Sequence, residues 1–281
     1  MKILISVDIE GVAGVFSQEQ TRAGTGEYER ARRLMTEEAN AAIRGAYAGG
    51  ATEVLVNDSH GHFRNLLPDL LDPRAKVVQG KPRYLSMMSG VEQGCRGVLL
   101  VGYHSRAQGR GVLAHTINSF AFARVQINGQ EMGEAALYGA LAGEFEAPVL
   151  MASGDDVFIS ENTPIFPNSV WAQTKIAYGH TSGVSLSPEE SQSLIAQCAQ
   201  RAVQSFVSPA DSGSINRPQP FVLAAPLICH LTTQGPAIAD LFCTLPFLRR
   251  MDGVNIEFSA TSMQDAIRIL NSLSAMSSML R

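Results

Sequence analysis

The sequence predicts an α/β fold with a mostly parallel (mixed) sheet and flanking helices, followed by a smaller C-terminal α+β subdomain. In the first half of the chain, short apolar runs alternate with helical stretches, which is the rhythm of βαβ units. The apolar runs are nearly uninterrupted, as in strands that are covered on both faces. With 281 residues, 45% of them hydrophobic and 17% charged, the chain is long and apolar enough to bury a substantial core.

The elements of the first half follow from the apolar pattern. The run 3–7 is typical of a buried strand. Across 27–48, apolar residues recur at steps of three and four, which predicts a helix that ends at Gly49. After it we expect strand 53–57, a helix near 84–94, strand 97–102, an antiparallel strand 121–128, helix 131–144 and strand 148–152.

The second half begins with a clear helix start, because Ser187 can cap, Pro188 suits the first turn and Glu190 completes a capping box. The stretch 208–220 is rich in Pro and Ser and is the best linker candidate. Strands near 221–225 and 254–260 and a helix at 263–277 follow. We therefore predict a metal-binding catalytic domain at 1–208 and a C-terminal subdomain at 218–281, which would pack on the first and contribute to oligomer contacts.

Composition argues against several partners and locations. The formal net charge of -4 gives no basic excess for nucleic acid or an anionic membrane. No run of about eighteen apolar residues indicates a transmembrane helix, and Asp8 and Glu10 interrupt the N-terminal apolar run, unlike a signal peptide. The four cysteines form no Cys-x-x-Cys pair, so we expect reduced thiols and a cytoplasmic location.

Acidic and imidazole side chains follow the predicted parallel strands. The first strand delivers Asp8 and Glu10, the second Asp58 and His60, and the third His104. Because the carboxyl ends of parallel strands line one crevice, we expect these side chains to converge there. Asp155 and Asp156 follow the fourth strand in the same way, and we favour a supporting role for them over helix capping.

Nitrogen and oxygen donors without thiolate suit zinc, manganese or cobalt. Two carboxylates and two imidazoles exceed the three protein ligands of an ordinary catalytic zinc site. They suit a two-metal site if one carboxylate bridges and a further ligand joins, for which Glu134 is a candidate. Asp8, Glu10 and Glu134 would leave one positive charge for a bridging hydroxide, which would also be the nucleophile.

Other residues give weaker signals. Asp58 can orient a neighbouring ligand or cap its loop, and both interpretations stay open. We expect His62 to be solvated, and His115 does not follow an apolar strand, so residue pattern alone gives it no role. The glycines lack phosphate-loop spacing, and there is no Gly-x-Ser-x-Gly motif, so a nucleotide site and a serine hydrolase are disfavoured.

Several segments carry a resemblance to a known family. The chain resembles the zinc-dependent D-aminopeptidases of the DppA type, closely over about the first 160 residues and more weakly beyond. The segments that carry the resemblance are SVDIEGVAGV at 6–15, RLMTEEANAAI at 33–43, TEVLVNDSHG at 52–61, GVLLVGYHSRA at 97–107, NGQEMGE at 128–134 and APVLMASGDD at 147–156.

The resemblance implies two zinc ions per subunit. One would be held by Asp8, Glu10 and His60. The other would be held by Asp8, His104 and Glu134, so that Asp8 bridges the two ions.

The resemblance also implies a catalytic role for His115, as acid/base or transition-state stabiliser. It implies short peptide substrates with an N-terminal D-amino acid, of the D-Ala-D-Ala type, and a homo-oligomer, a decamer whose sites face an interior chamber. The leading hypothesis is therefore a binuclear-zinc aminopeptidase that uses a metal-activated hydroxide. The alternatives are a metal-dependent amidase or deacylase acting on another small amide, and a non-catalytic assembly protein stabilised by metal.

Overall fold

The computed structural model describes residues 1–208 and 217–281. Its strands form two sheets, one of seven strands and one of five. The strands are β1 Lys2–Val7, β2 Glu53–Asp58, β3 Lys76–Val78, β4 Val98–Val101, β5 Phe122–Ile127, β6 Gln130–Glu131, β7 Val149–Asp155, β8 Val170–Gly179, β9 Ser182–Ser185, β10 Leu227–Thr233, β11 Arg249–Arg250 and β12 Asn255–Ala260.

The larger sheet has the strand order β3-β2-β1-β4-β7-β8-β9 and is parallel except for its last pair. The central strands β1, β2, β4 and β7 have almost entirely buried side chains, because helices and loops cover both faces. Val7 pairs with Asp58 on one side and with Val101 on the other. The ends of β1, β2 and β4 therefore lie together at one edge of the sheet.

The smaller sheet is antiparallel, with the order β11-β12-β10-β5-β6. Its strands β10 and β12 alternate buried and more exposed residues, as expected for a sheet packed on one side. Strands β5 and β6 come from within 1–208, so this sheet combines segments of both predicted domains. The division of the chain at 208–218 stays a prediction.

Helices cover the larger sheet and one side of the smaller one. The longest two, α1 and α4, pack closely: a Cβ at Gly45 would lie 2.3 Å from the carbonyl oxygen of Ala196, so only glycine permits this approach. The side chain of Thr25 caps the first helix and that of Ser187 caps the fourth. The helices are α1 Gly26–Ala48, α2 Glu134–Glu144, α3 Asp156–Asn162, α4 Pro188–Val207, α5 Pro236–Phe242 and α6 Met263–Met276.

Two of the predicted elements are wrong. The region 84–94 forms two short 3-10 turns instead of one helix, because Gly90 and Gly94 adopt left-handed conformations (φ 107° and 81°) that interrupt it. The strand expected near 221–225 begins only at Leu227, directly after Pro226, which has no N–H to donate to a ladder. The sequence pattern does not predict the hairpin of β8 and β9 or the helix α5, and α3 begins where helix capping by Asp155 was the less favoured interpretation.

Four further expectations concern the linker, membrane-spanning helices, the cysteines and the location. The predicted linker 208–220 lies largely outside the described residues. Within the described ranges, none of the helices has the length and apolar character needed to cross a membrane. All four cysteines are free thiols. The cytoplasmic location stays a prediction.

Candidate metal centre

The five predicted ligands lie together at the carboxyl edge of the larger sheet. His60 Nδ1 lies 3.3 Å from Asp8 Oδ1 and 3.1 Å from Glu10 Oε2. His104 Nε2 lies 3.5 Å from Asp8 Oδ2 and 3.5 Å from Glu134 Oε1. Asp8 thus presents one carboxylate oxygen to each imidazole, with Glu10 on one side and Glu134 on the other.

The backbone after β1 turns sharply to bring Glu10 to this position. The Gly11 N–H donates to the carbonyl oxygen of Gly102, 2.7 Å away. A Cβ on Gly11 would lie 2.0 Å from the carbonyl oxygen of Tyr103, so a larger residue would separate the two loops. Glu134 arrives from another direction, as the first residue of α2.

Three imidazoles at this centre are held in the same manner. His60 Nε2 lies 2.7 Å from Thr21 O, His104 Nδ1 lies 2.9 Å from Ser105 O, and His115 Nδ1 lies 2.9 Å from Leu113 O. A carbonyl oxygen only accepts, so the ring nitrogen facing it carries the hydrogen. In the neutral ring, the second nitrogen then offers a lone pair toward the carboxylates, which is how proteins orient metal-binding histidines.

The donor atoms fit a divalent metal ion. His104 is 2% exposed, and its Nε2 has no hydrogen-bond partner among the described residues although it is buried. An unpartnered buried polar atom is costly unless another group completes its interactions. The sets Asp8, Glu10, His104 and His104, His115, Glu134 each bring ligand atoms within 4.8 Å of one another. Imidazole and carboxylate donors without thiolate are a combination that zinc accepts.

The electrostatics of the metal-free centre also indicate a cation site. Burial lowers the pKa of His104, but the negative charges of Glu134, Asp8 and Glu10 outweigh it and raise the pKa to about 10. Burial also lowers the pKa of His60, but the charges of Glu10 and Asp8 outweigh burial and raise this pKa well above the usual range. Burial raises the pKa of Glu134 despite the nearby imidazoles. The buried carboxylates thus hold protons on the neighbouring imidazoles, and a metal cation bound by these imidazoles would take the place of the protons.

His115 joins the centre, although its position in the sequence gave no sign of it. Its ring stacks on that of His104, and its Nε2 lies 3.7 Å from Glu134 Oε1. Leu113 and Ile117 on either side have positive φ values of 53° and 60°, which is unusual for branched side chains. The Ile117 N–H donates to Glu134 Oε1 at 2.6 Å. The loop that carries His115 thus also orients Glu134.

A protein-family model of the M55 peptidases, described as D-aminopeptidase, matches residues 1–272. The chain belongs to this D-aminopeptidase family. Membership makes it an aminopeptidase, a hydrolase of peptide bonds, and confirms the family resemblance of its motifs.

A sequence match and a structure match, both from Bacillus subtilis, support the assignment. The enzyme is 38% identical over 204 residues to a D-aminopeptidase of strain 168, an alignment that covers 73% of this chain and 74% of that protein. It also matches a solved structure with 30% identity and a TM-score of 0.92, covering 99% of this chain and 98% of the other. That structure is the Zn-dependent D-aminopeptidase DppA, described as a self-compartmentalizing protease. The predicted fold class is confirmed.

Two of the other predicted residues support the loops of the centre. Asp58 accepts from the backbone N–H groups of Asn65 and Leu66 at 2.6 and 2.8 Å, and Asn65 in turn donates to His60 O. Asp155 caps α3 and also accepts from the N–H of Val112 at 2.7 Å. Both carboxylates thus combine capping with support of a loop that carries a histidine of the centre.

The remaining acid and histidine lie outside the centre. Asp156 accepts from the Ala177 N–H at 2.8 Å, so it binds the edge hairpin of β8 and β9. The side chain of His62 is exposed, as expected for a solvated residue.

Proposed function

We propose that this enzyme is a zinc-dependent D-aminopeptidase with two zinc ions per subunit. The observation that carries the proposal is the arrangement of three imidazoles, each tied to a backbone carbonyl by one nitrogen and facing buried carboxylates with the other. The relative of known structure is Zn-dependent, which favours zinc over manganese or cobalt.

The ligand sets are those that the family resemblance implies, and contacts between the side chains support them. Asp8, Glu10 and His60 would hold one zinc ion, and Asp8, His104 and Glu134 would hold the other. Asp8 faces His60 with Oδ1 and His104 with Oδ2, which suits a bridging carboxylate. When bound, the zinc ions supply Lewis-acid polarisation of the scissile carbonyl and a lowered pKa for water.

The protein residues supply positioning and proton transfer. The carbonyl oxygens of Thr21, Ser105 and Leu113 position the three imidazoles. His115 keeps Nδ1–H on the carbonyl of Leu113, so its Nε2 is the atom that can carry a transferable proton. Protonated at Nε2, His115 would give that proton to the leaving amine nitrogen as general acid.

The proposed substrates are short peptides with an N-terminal D-amino acid, of the D-Ala-D-Ala type. The test is a panel of matched D- and L-dipeptides together with acylated amines, assayed with the zinc-loaded enzyme. We expect D-dipeptides to be hydrolysed with the highest kcat/KM. Preference for acylated amines would instead indicate an amidase or deacylase, and no hydrolysis of any substrate would indicate a metal-stabilised assembly protein.

We also propose that the enzyme is a homo-oligomer, a decamer that encloses its sites. The self-compartmentalizing relative supports this, since its fold matches nearly the whole chain. Light scattering at micromolar protein concentration tests the assembly, and a monomeric mass would contradict it.

A further inference from the structure

A buried lysine lies behind the loop that carries Glu10. Lys175 is 2% exposed, and its Nζ donates to the backbone carbonyl oxygens of Glu10 at 2.5 Å and of Val15 at 2.8 Å. One ammonium group thus ties together both ends of the segment 10–15. Its hydrogen bonds to this loop go to backbone carbonyl oxygens and not to the Glu10 carboxylate, so its contact with Glu10 is through the backbone.

The surroundings explain why a charged residue occupies this position. Burial disfavours the ammonium ion, whereas the charges of Asp155, Glu38 and Glu10 favour it. Asp155 pairs with Lys175 in the register of β7 and β8, and Glu38 of α1 accepts from the Ala13 N–H in the same segment. Lys175 also lies over the ring of Phe16, 5.2 Å from its centroid. Several independent elements therefore converge on this loop.

We propose that Lys175 is a positioning residue that fixes the backbone of Glu10 so that its carboxylate meets the zinc ion shared with His60. The inference rests on the proposed zinc function and adds a residue to it. Lys175 acts through Glu10, so its influence falls on the Asp8, Glu10 and His60 side of the centre. His104 follows β4 and Glu134 begins α2, so we expect the geometry on that side of the centre to change less.

The experiment compares zinc retention by the purified, zinc-loaded enzyme and its variants after equilibration with chelator-buffered zinc. Lys175→Met removes the ammonium group while keeping much of the side-chain length. We expect this variant to hold one of its two zinc ions 10- to 100-fold more weakly, the loss typical of residues that orient a ligand. The second ion should shift by less than about threefold, in keeping with the usual size of indirect effects.

Two further variants assign the effect to Glu10. In Glu10→Ala the same ion should weaken, and the double variant Lys175→Met/Glu10→Ala should be no worse than Glu10→Ala alone, because Lys175 acts through that residue. The control is Thr174→Val, since the Thr174 hydroxyl donates to the carbonyl of Gly11 in the same loop at 3.0 Å but carries no charge. We expect this control to retain both ions within about threefold.

Several results would overturn the inference. One is that Lys175→Met retains zinc as the wild type does, and another is that it binds both ions equally weakly. A third is that the losses of Lys175→Met and Glu10→Ala add up in the double variant. A fourth is that Thr174→Val loses zinc as readily as Lys175→Met. If Lys175→Met does not fold, Lys175→Gln, which keeps an N–H donor, is measured in its place. Failure of both to fold would make Lys175 a general stabilising residue and would reject the positioning role. A wild-type enzyme that retains no zinc would reject the proposed function and this inference together, which distinguishes it from failure of the inference alone.

Discussion

The imidazole rings of His104 and His115 are stacked, with centroids 4.1 Å apart and planes inclined by 9°. The two residues nevertheless face the centre differently. His104 Nε2 lies between Asp8 and Glu134, whereas His115 Nε2 approaches Glu134 alone, at 3.7 Å. His115 is also more exposed than His104, with 21% against 1% of its side chain accessible. A ligand and a neighbouring proton donor would have this relationship.

We expect His115→Ala to keep both zinc ions and to lose about 10²- to 10⁴-fold in kcat, the usual contribution of general acid–base catalysis. A group that acts only in the transition state lowers kcat with little effect on metal content. Steady-state kinetics on D-Ala-D-Ala together with zinc analysis measure both quantities. His62→Ala is the matched control, because that exposed histidine lies outside the centre. Loss of a zinc ion in His115→Ala would make His115 a ligand, and an unchanged kcat would remove its catalytic role.

Replacement of Asp8 should have the broadest effect of any single ligand. Its two oxygens face different histidines, so Asp8→Ala should lose both zinc ions and all measurable activity. Glu10→Ala and His104→Ala should each weaken mainly one ion. Zinc stoichiometry after gel filtration distinguishes the three variants. Two ions retained in Asp8→Ala would contradict the bridging assignment.

Much of the centre is predictable from the sequence, because the carboxyl ends of parallel strands lie at one edge of a sheet. Buried runs identified β1, β2 and β4, and their parallel order brings Asp8, Glu10, His60 and His104 to one edge. His115 was beyond the reach of this rule, because it lies on an irregular loop well after β4. Its place depends on the positive φ angles at Leu113 and Ile117, which residue type does not reveal.

The sequence predicts the long helices of the fold well and its exposed hairpin poorly. Long amphipathic helices such as α1 and α4 have a clear periodicity and were placed within a residue or two. The hairpin of β8 and β9 was missed because its exposed alternating pattern is weak beside the buried central strands. The sequence pattern therefore does not reveal that Lys175 is buried, since its burial depends on the pairing of β7 with β8.

Zinc binding should release protons. In the metal-free enzyme, the neighbouring carboxylates raise the pKa of His104 to about 10 and that of His60 well above the usual range, so both rings are protonated at pH 7. A zinc ion requires the neutral imidazole, so binding must displace these protons and becomes weaker as the pH falls. We expect about three protons per chain at pH 7, two from the imidazoles and one from the bound water that would become hydroxide. Calorimetric titration in two buffers of different ionisation enthalpy measures the number. His104→Ala should release about one proton fewer, and binding without proton release would contradict the expected protonation.

The buried carboxyl group of Glu38 should make stability depend on pH. Its Oε1 accepts from the Ala13 N–H and the Ser191 hydroxyl at 3.0 and 2.7 Å, while Oε2 has no hydrogen-bond partner in the described part of the chain. Burial raises its pKa from 4.5 to about 7, although the hydrogen bonds with Ser191 and Ala13 and the charge of Lys175 oppose the shift. Between these two values the folded enzyme keeps a proton that the unfolded chain has lost.

The contribution of Glu38 is therefore most favourable below pH 4.5 and declines as the pH rises through about 7. The full change is on the order of 3 kcal/mol, because each pKa unit is worth about 1.4 kcal/mol. Glu38→Gln keeps an oxygen acceptor for Ala13 and Ser191 but cannot ionise. The Tm of Glu38→Gln minus the Tm of the wild type should therefore increase as the pH is raised from about 5 to about 8. The comparison uses zinc-saturated proteins at each pH, with the more accessible neighbour Glu37→Gln as control, which should follow the wild type. A difference between Glu38→Gln and the wild type that is constant across this range would mean that Glu38 does not titrate there.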